Sequence, residues 1–208
     1  MIAPLLKGAS VLCLGYPDLA VTLEEIESML GVKPTQFTEH GQDHGLHYQR
    51  LAETVSTFML AGAEVVDCVD KMPSRGCERV IDLNEPQVWP RHYSLVINPG
   101  TTEHCFDIAT ATFNSWRAVA LGGVLLNIAP VTMLNHGFWN VCPTAIVDFA
   151  EANGGKVESM VARDKAWQMV KCDPVRRGAV PAETVMYALV IKMKDVPDTM
   201  PTQWRYRQ

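Results

Sequence analysis

Residues 10–18, SVLCLGYPD, decide how this chain is read. Val11 to Leu14 form an unbroken apolar run, the pattern of a parallel strand buried on both faces, and the run stops at Gly15. In an open α/β sheet the glycine after the first strand begins the turn that a cofactor approaches, and a second glycine normally follows it. Here Tyr16, Pro17 and Asp18 follow instead. Pro17 fixes its own φ and lacks an N–H donor, Tyr16 adds bulk, and Asp18 adds a negative charge. The turn reads as a crowded, anionic version of a cofactor loop.

Outward from this strand, apolar runs alternate with helical periodicity, the signal of a parallel sheet covered by helices. TLEEIESMLG carries Thr22 and Glu25 as a capping box, Leu23, Ile26, Met29 and Leu30 on one face, and Gly31 as a stop. From Leu46 to Gly62 the spacing of Tyr48, Leu51, Ala52, Val55, Phe58 and Met59 predicts a second helix. AEVVDCVD, CERVIDLN and HYSLVINPG then read as the second, third and fourth strands. A helix is expected from about Glu103 to Arg117, then a turn at Gly122 and Gly123 and a fifth strand ending in NIAP. Pro143 suits the first turn of a further helix, with Gly154 past its end. KVESMVARD, AWQMVKCD and ETVMYALVIKMK follow without a long helix between them, which predicts antiparallel closure of the sheet edge.

The domain is expected to span 1–194, with 195–208 as an extended arm. Pro197 and Pro201 interrupt that arm before a Trp204, Arg205, Tyr206, Arg207 cluster. Two readings of the arm stand: a segment lying on its own domain, or one docking on a neighbouring subunit, since Trp, Tyr and Arg anchor interfaces.

At 208 residues, nearly half of them apolar, the chain can bury one substantial core. A net charge of −5 without a basic run does not point to nucleic acid or an anionic membrane as partner. The six cysteines (Cys13, Cys68, Cys77, Cys105, Cys142, Cys172) form no C-x-x-C pair and read as reduced thiols. The opening MIAPLLKGAS lacks the pattern of a secretory signal, so a reducing cytoplasm is the expected compartment.

The order of elements resembles that of class I S-adenosylmethionine-dependent methyltransferases. SVLCLG, AGAEVVDCVD, VIDLNEP, YSLVINPGTTEHCFD, ALGGVLLNIAP, NHGFWNVCPTAIVDFAEANGG and AWQMVKCDP fall in the order of a methyltransferase-like family of bacteria and their phages. The most specific parts are G-T-x-E-H after the fourth strand and the H-G-F-aromatic block near Asn135. The resemblance implies a Rossmann-like, mixed seven-stranded α/β sheet, mostly parallel with an antiparallel edge, and helices on both faces. It also implies S-adenosylmethionine as cofactor and a crevice at the point where strand order reverses.

In that crevice the resemblance places Gly15 where the backbone meets the cofactor, Asp70 at the ribose hydroxyls, Asp82 and the Leu83 backbone at the adenine, and Asn98 near the transferred methyl. Each has a competing role: Gly15 as an ordinary tight turn, Asp70 and Asp82 as turn formers. Glu103 and His104 are the catalytic candidates, His104 as a base and Glu103 orienting a substrate; Glu103 also suits the positive end of a helix. His136, with Gly137, Phe138 and Trp139, is either a substrate wall or a packed aromatic loop. His40, His44 and His47 lack a supporting carboxylate or cysteine set, so no metal site is expected.

Two departures from the family bear on activity. Tyr16 and Pro17 replace a polar string that includes an arginine, and Asn98 stands where many relatives have aspartate. An inward Asp18 about 4 Å from the cofactor's carboxylate would repel it by roughly 4 kcal/mol at an effective dielectric of about 20. Two functions are therefore carried forward. One is a methyltransferase acting on a small-molecule or glycan acceptor. The other is a non-catalytic structural or interaction subunit, in a phage particle for example, with protein partners on the arm and the chain part of an oligomer or larger assembly.

Overall fold

The computed structural model describes residues 2–39, 50–73, 75–174, 176 and 178–207. His40, His44 and His47 lie outside the described residues, as does the start of the helix expected from Leu46.

After a short helix α1 (Ala3–Leu6), β1 (Ser10–Leu14) lies in the interior of the main sheet. Its side chains alternate in the two-residue period of a strand. Val11 and Cys13 enter one apolar cluster with Leu6 and Phe58, while Leu12 and Leu14 enter another with Phe113, Trp116 and Phe149. Both faces of β1 are therefore covered, which is why its sequence is apolar throughout.

Helix α2 (Leu23–Leu30) begins on the expected capping box, with Glu25 N–H donating to Thr22 at 3.2 Å and Thr22 N–H to Glu25 at 2.8 Å. It ends at Gly31 in the left-handed region. Of its apolar stripe only Ile26 is buried. The helix expected from Leu46 is corrected: Leu51 and Ala52 belong to β3 (Arg50–Ala52), which pairs with β2 (Phe37–Glu39) in a separate two-stranded sheet. Helix α3 (Thr54–Leu60) starts only after Glu53, whose carboxylate accepts from the N–H groups of Val55 and Ser56.

β4 (Val65–Asp70) and β6 (Tyr93–Pro99) flank β1 in parallel, and β5 (Arg79–Val80) lies outside β4. The expected third strand shrinks to two residues because Asp82 to Asn84 fold into a turn. The helix expected from Glu103 is also displaced. Thr102–His104 is a 3-10 turn, and α4 (Ile108–Ala118) begins after Asp107, which accepts from Thr110 N–H at 3.0 Å. β7 (Val119–Pro130) runs through Gly122 and Gly123, where the turn was expected, with its register against β6 shifting between Tyr93 and Leu95.

Helix α5 (Pro143–Ala152) carries Pro143 in its first turn. β8 (Gly155–Arg163), β9 (Met169–Val170) and β10 (Val185–Lys192) close the sheet, β10 inserting antiparallel between β7 and β8. The order is β5-β4-β1-β6-β7-β10-β8-β9. It is the mixed Rossmann-like sheet expected, with eight strands rather than seven because the two-residue β9 adds an edge. No helix among the described residues is long and apolar enough to cross a membrane.

Residues 195–207 lie along α4 and α5. Arg117 pairs with Asp198 at 2.5 Å, Asn153 and Thr199 exchange two hydrogen bonds of 2.9 Å, and Arg207 pairs with Asp148 and Glu151. Met200 and Pro201 roof a largely apolar cavity of about 300 Å³ between α4, α5 and the sheet.

Candidate functional site

The reversal of strand order lies at β1, between β4 and β6, and an open α/β sheet binds ligands beyond the carboxyl ends of such strands. The register pairs Leu14 with Val69 and Cys13 with Ile97, so Gly15, Asp70 and Pro99 emerge side by side at that edge.

On the β1 flank the Tyr16 hydroxyl, the Pro17 carbonyl and the Asp18 carboxylate are all bonded within the chain. The Tyr16 hydroxyl donates to Glu53 at 2.5 Å and accepts from Thr54 N–H at 2.9 Å. Burial and the Glu53 bond together push the phenol well above its ordinary pKa. At Glu53 burial acts the other way, but the donors Tyr16 and Ser56 outweigh it and keep the carboxylate ionised. Pro17 is buried, with its carbonyl accepting from the Thr54 hydroxyl at 2.5 Å. Asp18 meets Arg75 at 2.8 Å, and the same guanidinium lies 5.2 Å from the centre of the Tyr16 ring. The expected repulsion from Asp18 is therefore answered by a cation that sequence reading did not find. Arg75 sits in the irregular segment KMPSRGCER, which has no periodicity to place it.

Gly15 has φ +82°. A Cβ there would stand 2.4 Å from Thr101 Oγ1, which itself donates to the Leu14 carbonyl at 2.5 Å. Glycine is required at this position by a contact within the chain. Thr101 thus bridges the ends of β1 and β6 directly over the turn.

At the end of β4, Asp70 accepts from Met72 N–H at 3.1 Å. Asp82 is more committed: Lys71 holds one oxygen at 2.6 Å and Asn84 donates twice to the other. The lysine, then the Asn84 donors, hold its pKa down at about 2. Leu83 is buried, and its carbonyl accepts from Asn114 at 3.0 Å. Asn98 is fully buried. Its amide donates to Thr102 and Asn127, and its oxygen accepts from the N–H groups of Thr101 and Thr102. All four of its bonding positions are spent within the chain, three on the turn after β6 and one on β7.

That turn carries Glu103, whose side chain has no exposed surface and whose two carboxylate oxygens have no hydrogen-bond partner. Burial lifts its pKa to about 7. His136 Nε2 lies 3.6 Å from Glu103 Oε1. His104 stacks obliquely beside it, ring centres 5.0 Å apart, and burial followed by the neighbouring His136 lowers the His104 pKa. The donor atoms of Glu103, His104 and His136 all lie within 4.8 Å of one another.

Gly137 makes this convergence possible, because a Cβ there would come within 2.9 Å of the Glu103 carbonyl. With no side chain in the way, the N–H groups of Phe138 and Trp139 reach that carbonyl at 2.9 and 3.3 Å. Trp139 Nε1 donates to the carbonyls of Cys105 and Phe106. Phe106 and Phe138 meet edge to face and remain largely exposed, forming an aromatic rim beside the three polar groups. The two catalytic candidates Glu103 and His104 are thus joined by His136, from the loop expected to form a substrate wall or a packed aromatic cluster.

No known protein family's sequence profile matches this chain, and no curated protein matches it. Among solved structures, TehB from Haemophilus influenzae superposes with a TM-score of 0.51 at 10% identity, over 92% of this chain and 60% of that one. BH2331 from Bacillus halodurans C-125, assigned as a methyltransferase, gives 0.46 at 12% identity, over 93% and 99%. TM1293, a SAM-dependent methyltransferase from Thermotoga maritima, gives 0.41 at 11% identity, over 92% and 86%. The chain has a class I methyltransferase-like fold. It spans about 60% of the length of TehB.

Proposed function

We propose that the chain is a methyltransferase that binds S-adenosylmethionine at the reversal of strand order and acts on a small acceptor held against the Phe106–Phe138 rim. The observation that carries this reading is Glu103: a buried carboxylate with neither oxygen bonded is costly, and such groups persist where function uses them. It stands on the β6 side of the crevice, beside two histidines that would receive the acceptor's polar atom.

The fit to the cofactor differs along its length. Asp70, at the end of β4, suits the ribose hydroxyls, and Gly15 and the Leu83 backbone border the same edge. Asp82 and Asn98 are engaged within the chain, and Thr101 stands over Gly15 where a methionine moiety would approach. When bound, the cofactor supplies an electrophilic methyl group. The chain's own contribution is to hold an acceptor in line and keep water out with Phe106, Phe138 and Trp139.

The Thr101–Leu14 bond and the self-contained Tyr16–Asp18 turn favour a second reading, a non-catalytic interaction subunit built on this fold. Titration calorimetry with S-adenosylmethionine and S-adenosylhomocysteine separates the two. Binding that is lost in Asp70→Ala supports the enzyme. Absence of heat at submillimolar cofactor removes it and leaves the second reading, for which a strict monomer by light scattering would be the adverse result.

A further inference from the structure

We infer that Glu103, His104 and His136 form a site for one divalent transition-metal ion of the zinc class. The site concerns the acceptor side of the crevice and stands whether or not the chain transfers a methyl group.

Three observations converge. The first is chemical: two imidazoles and one carboxylate are the donor set that borderline divalent ions prefer, with coordination positions left for a substrate oxygen or nitrogen. The second is geometric. Metal–ligand distances of about 2.0–2.1 Å place neighbouring donors about 3.3 Å apart in a tetrahedral site. Here Glu103 Oε1 and His136 Nε2 are 3.6 Å apart and the whole set falls within 4.8 Å, so small rotations of the two exposed histidines close the shell. The third is the state of Glu103. Its carboxylate is wholly buried, faces His136 and accepts no hydrogen bond from another residue. An ion supplies the partner that the chain does not.

The ordinary structural role for Glu103 is already taken. The following helix is capped by Asp107, and the 3-10 turn that holds Glu103 has no side-chain cap bond. His136 as a lone ion-pair partner would leave the second carboxylate oxygen unanswered, with His104 crowded against the new charge at 5.0 Å between ring centres. Neutral imidazoles sharing one cation with the carboxylate remove both difficulties. Gly137 reinforces the assignment, since the loop can bring His136 onto Glu103 only where no side chain intervenes. An entry path exists: the His136 side chain is 37% exposed.

The test uses the full chain without an affinity tag, stripped with a chelator and titrated with Zn²⁺ against a chromogenic competitor, with Co²⁺ as a spectroscopic probe. One ion per chain is expected, with a visible d–d band for Co²⁺ and a melting temperature that rises with zinc. His136→Ala and Glu103→Gln should each weaken zinc binding at least tenfold and erase the rise in melting temperature. His136→Ala removes an exposed loop side chain, and circular dichroism checks that it folds. Replacing His40, His44 and His47 together by alanine should leave the binding unchanged. Absence of stoichiometric zinc binding, equal affinity in His136→Ala, or loss confined to the triple-histidine variant would each overturn the assignment. None of these outcomes depends on S-adenosylmethionine, so this inference and the proposed activity fail separately.

Discussion

On the β1 flank of the crevice Tyr16, Pro17 and Asp18 are tied to Glu53, Thr54 and Arg75, whereas on the β6 flank Glu103 is buried with no hydrogen bond to either oxygen. Both flanks place acidic groups near one edge of the same sheet. The first turns its unusual residues into fold stability. The second keeps a polar group unspent, at a cost that a bound ligand or a proton would offset. A turn whose side chains are tied into the fold and an unspent carboxylate can therefore flank one crevice, and the turn's sequence says little about the carboxylate.

The sharpest way to break this comparison is at Gly15. Gly15→Ala combines a positive φ with a clash against Thr101, and a loss of about 3 kcal/mol in denaturant unfolding is expected. Adding Thr101→Gly should recover part of it by removing the clash. If Gly15→Ala were neutral, the β1–β6 bridge would not be the constraint described. On the other flank the sign reverses. Glu103→Met replaces an unbonded buried carboxylate with an apolar chain of similar length and should raise metal-free stability by about 2 kcal/mol. A loss of stability there would mean that the carboxylate is satisfied within the fold. The smallest effect is expected from Tyr16→Phe, which removes the hydroxyl bridging Glu53 and Thr54 and should cost about 1 kcal/mol, read from the shift of the unfolding midpoint. With S-adenosylmethionine present, its affinity should not change, because the hydroxyl points into α3.

Much of the architecture was legible because it depends on local rules. The SVLCL run, the Thr22–Glu25 capping box, Gly31 and Pro143 each signal an element through its own period or terminus, and each element formed where expected. Besides the turn expected at Gly122 and Gly123 and the shortened third strand, errors lay at boundaries set by capping side chains. Glu53 and Asp107 start their helices later than apolar spacing suggests, because a carboxylate accepting the first N–H groups overrides a weak periodic signal. The candidate site was legible in part. Glu103 and His104 stood out as adjacent titratable residues, while the resemblance drew attention to Asp82 and Asn98, whose bonds turn out to be made within the chain.

By itself the amino-acid sequence determined the alternation of buried strands and helices, since hydrophobic period and capping act over a few residues. Only the tertiary structure decided which polar groups are answered and which are left waiting. Asp18 finds Arg75 across 57 residues, and Glu103 finds His136 rather than a helix end. Such pairings follow from where the folded sheet delivers its loops, and no local pattern encodes that.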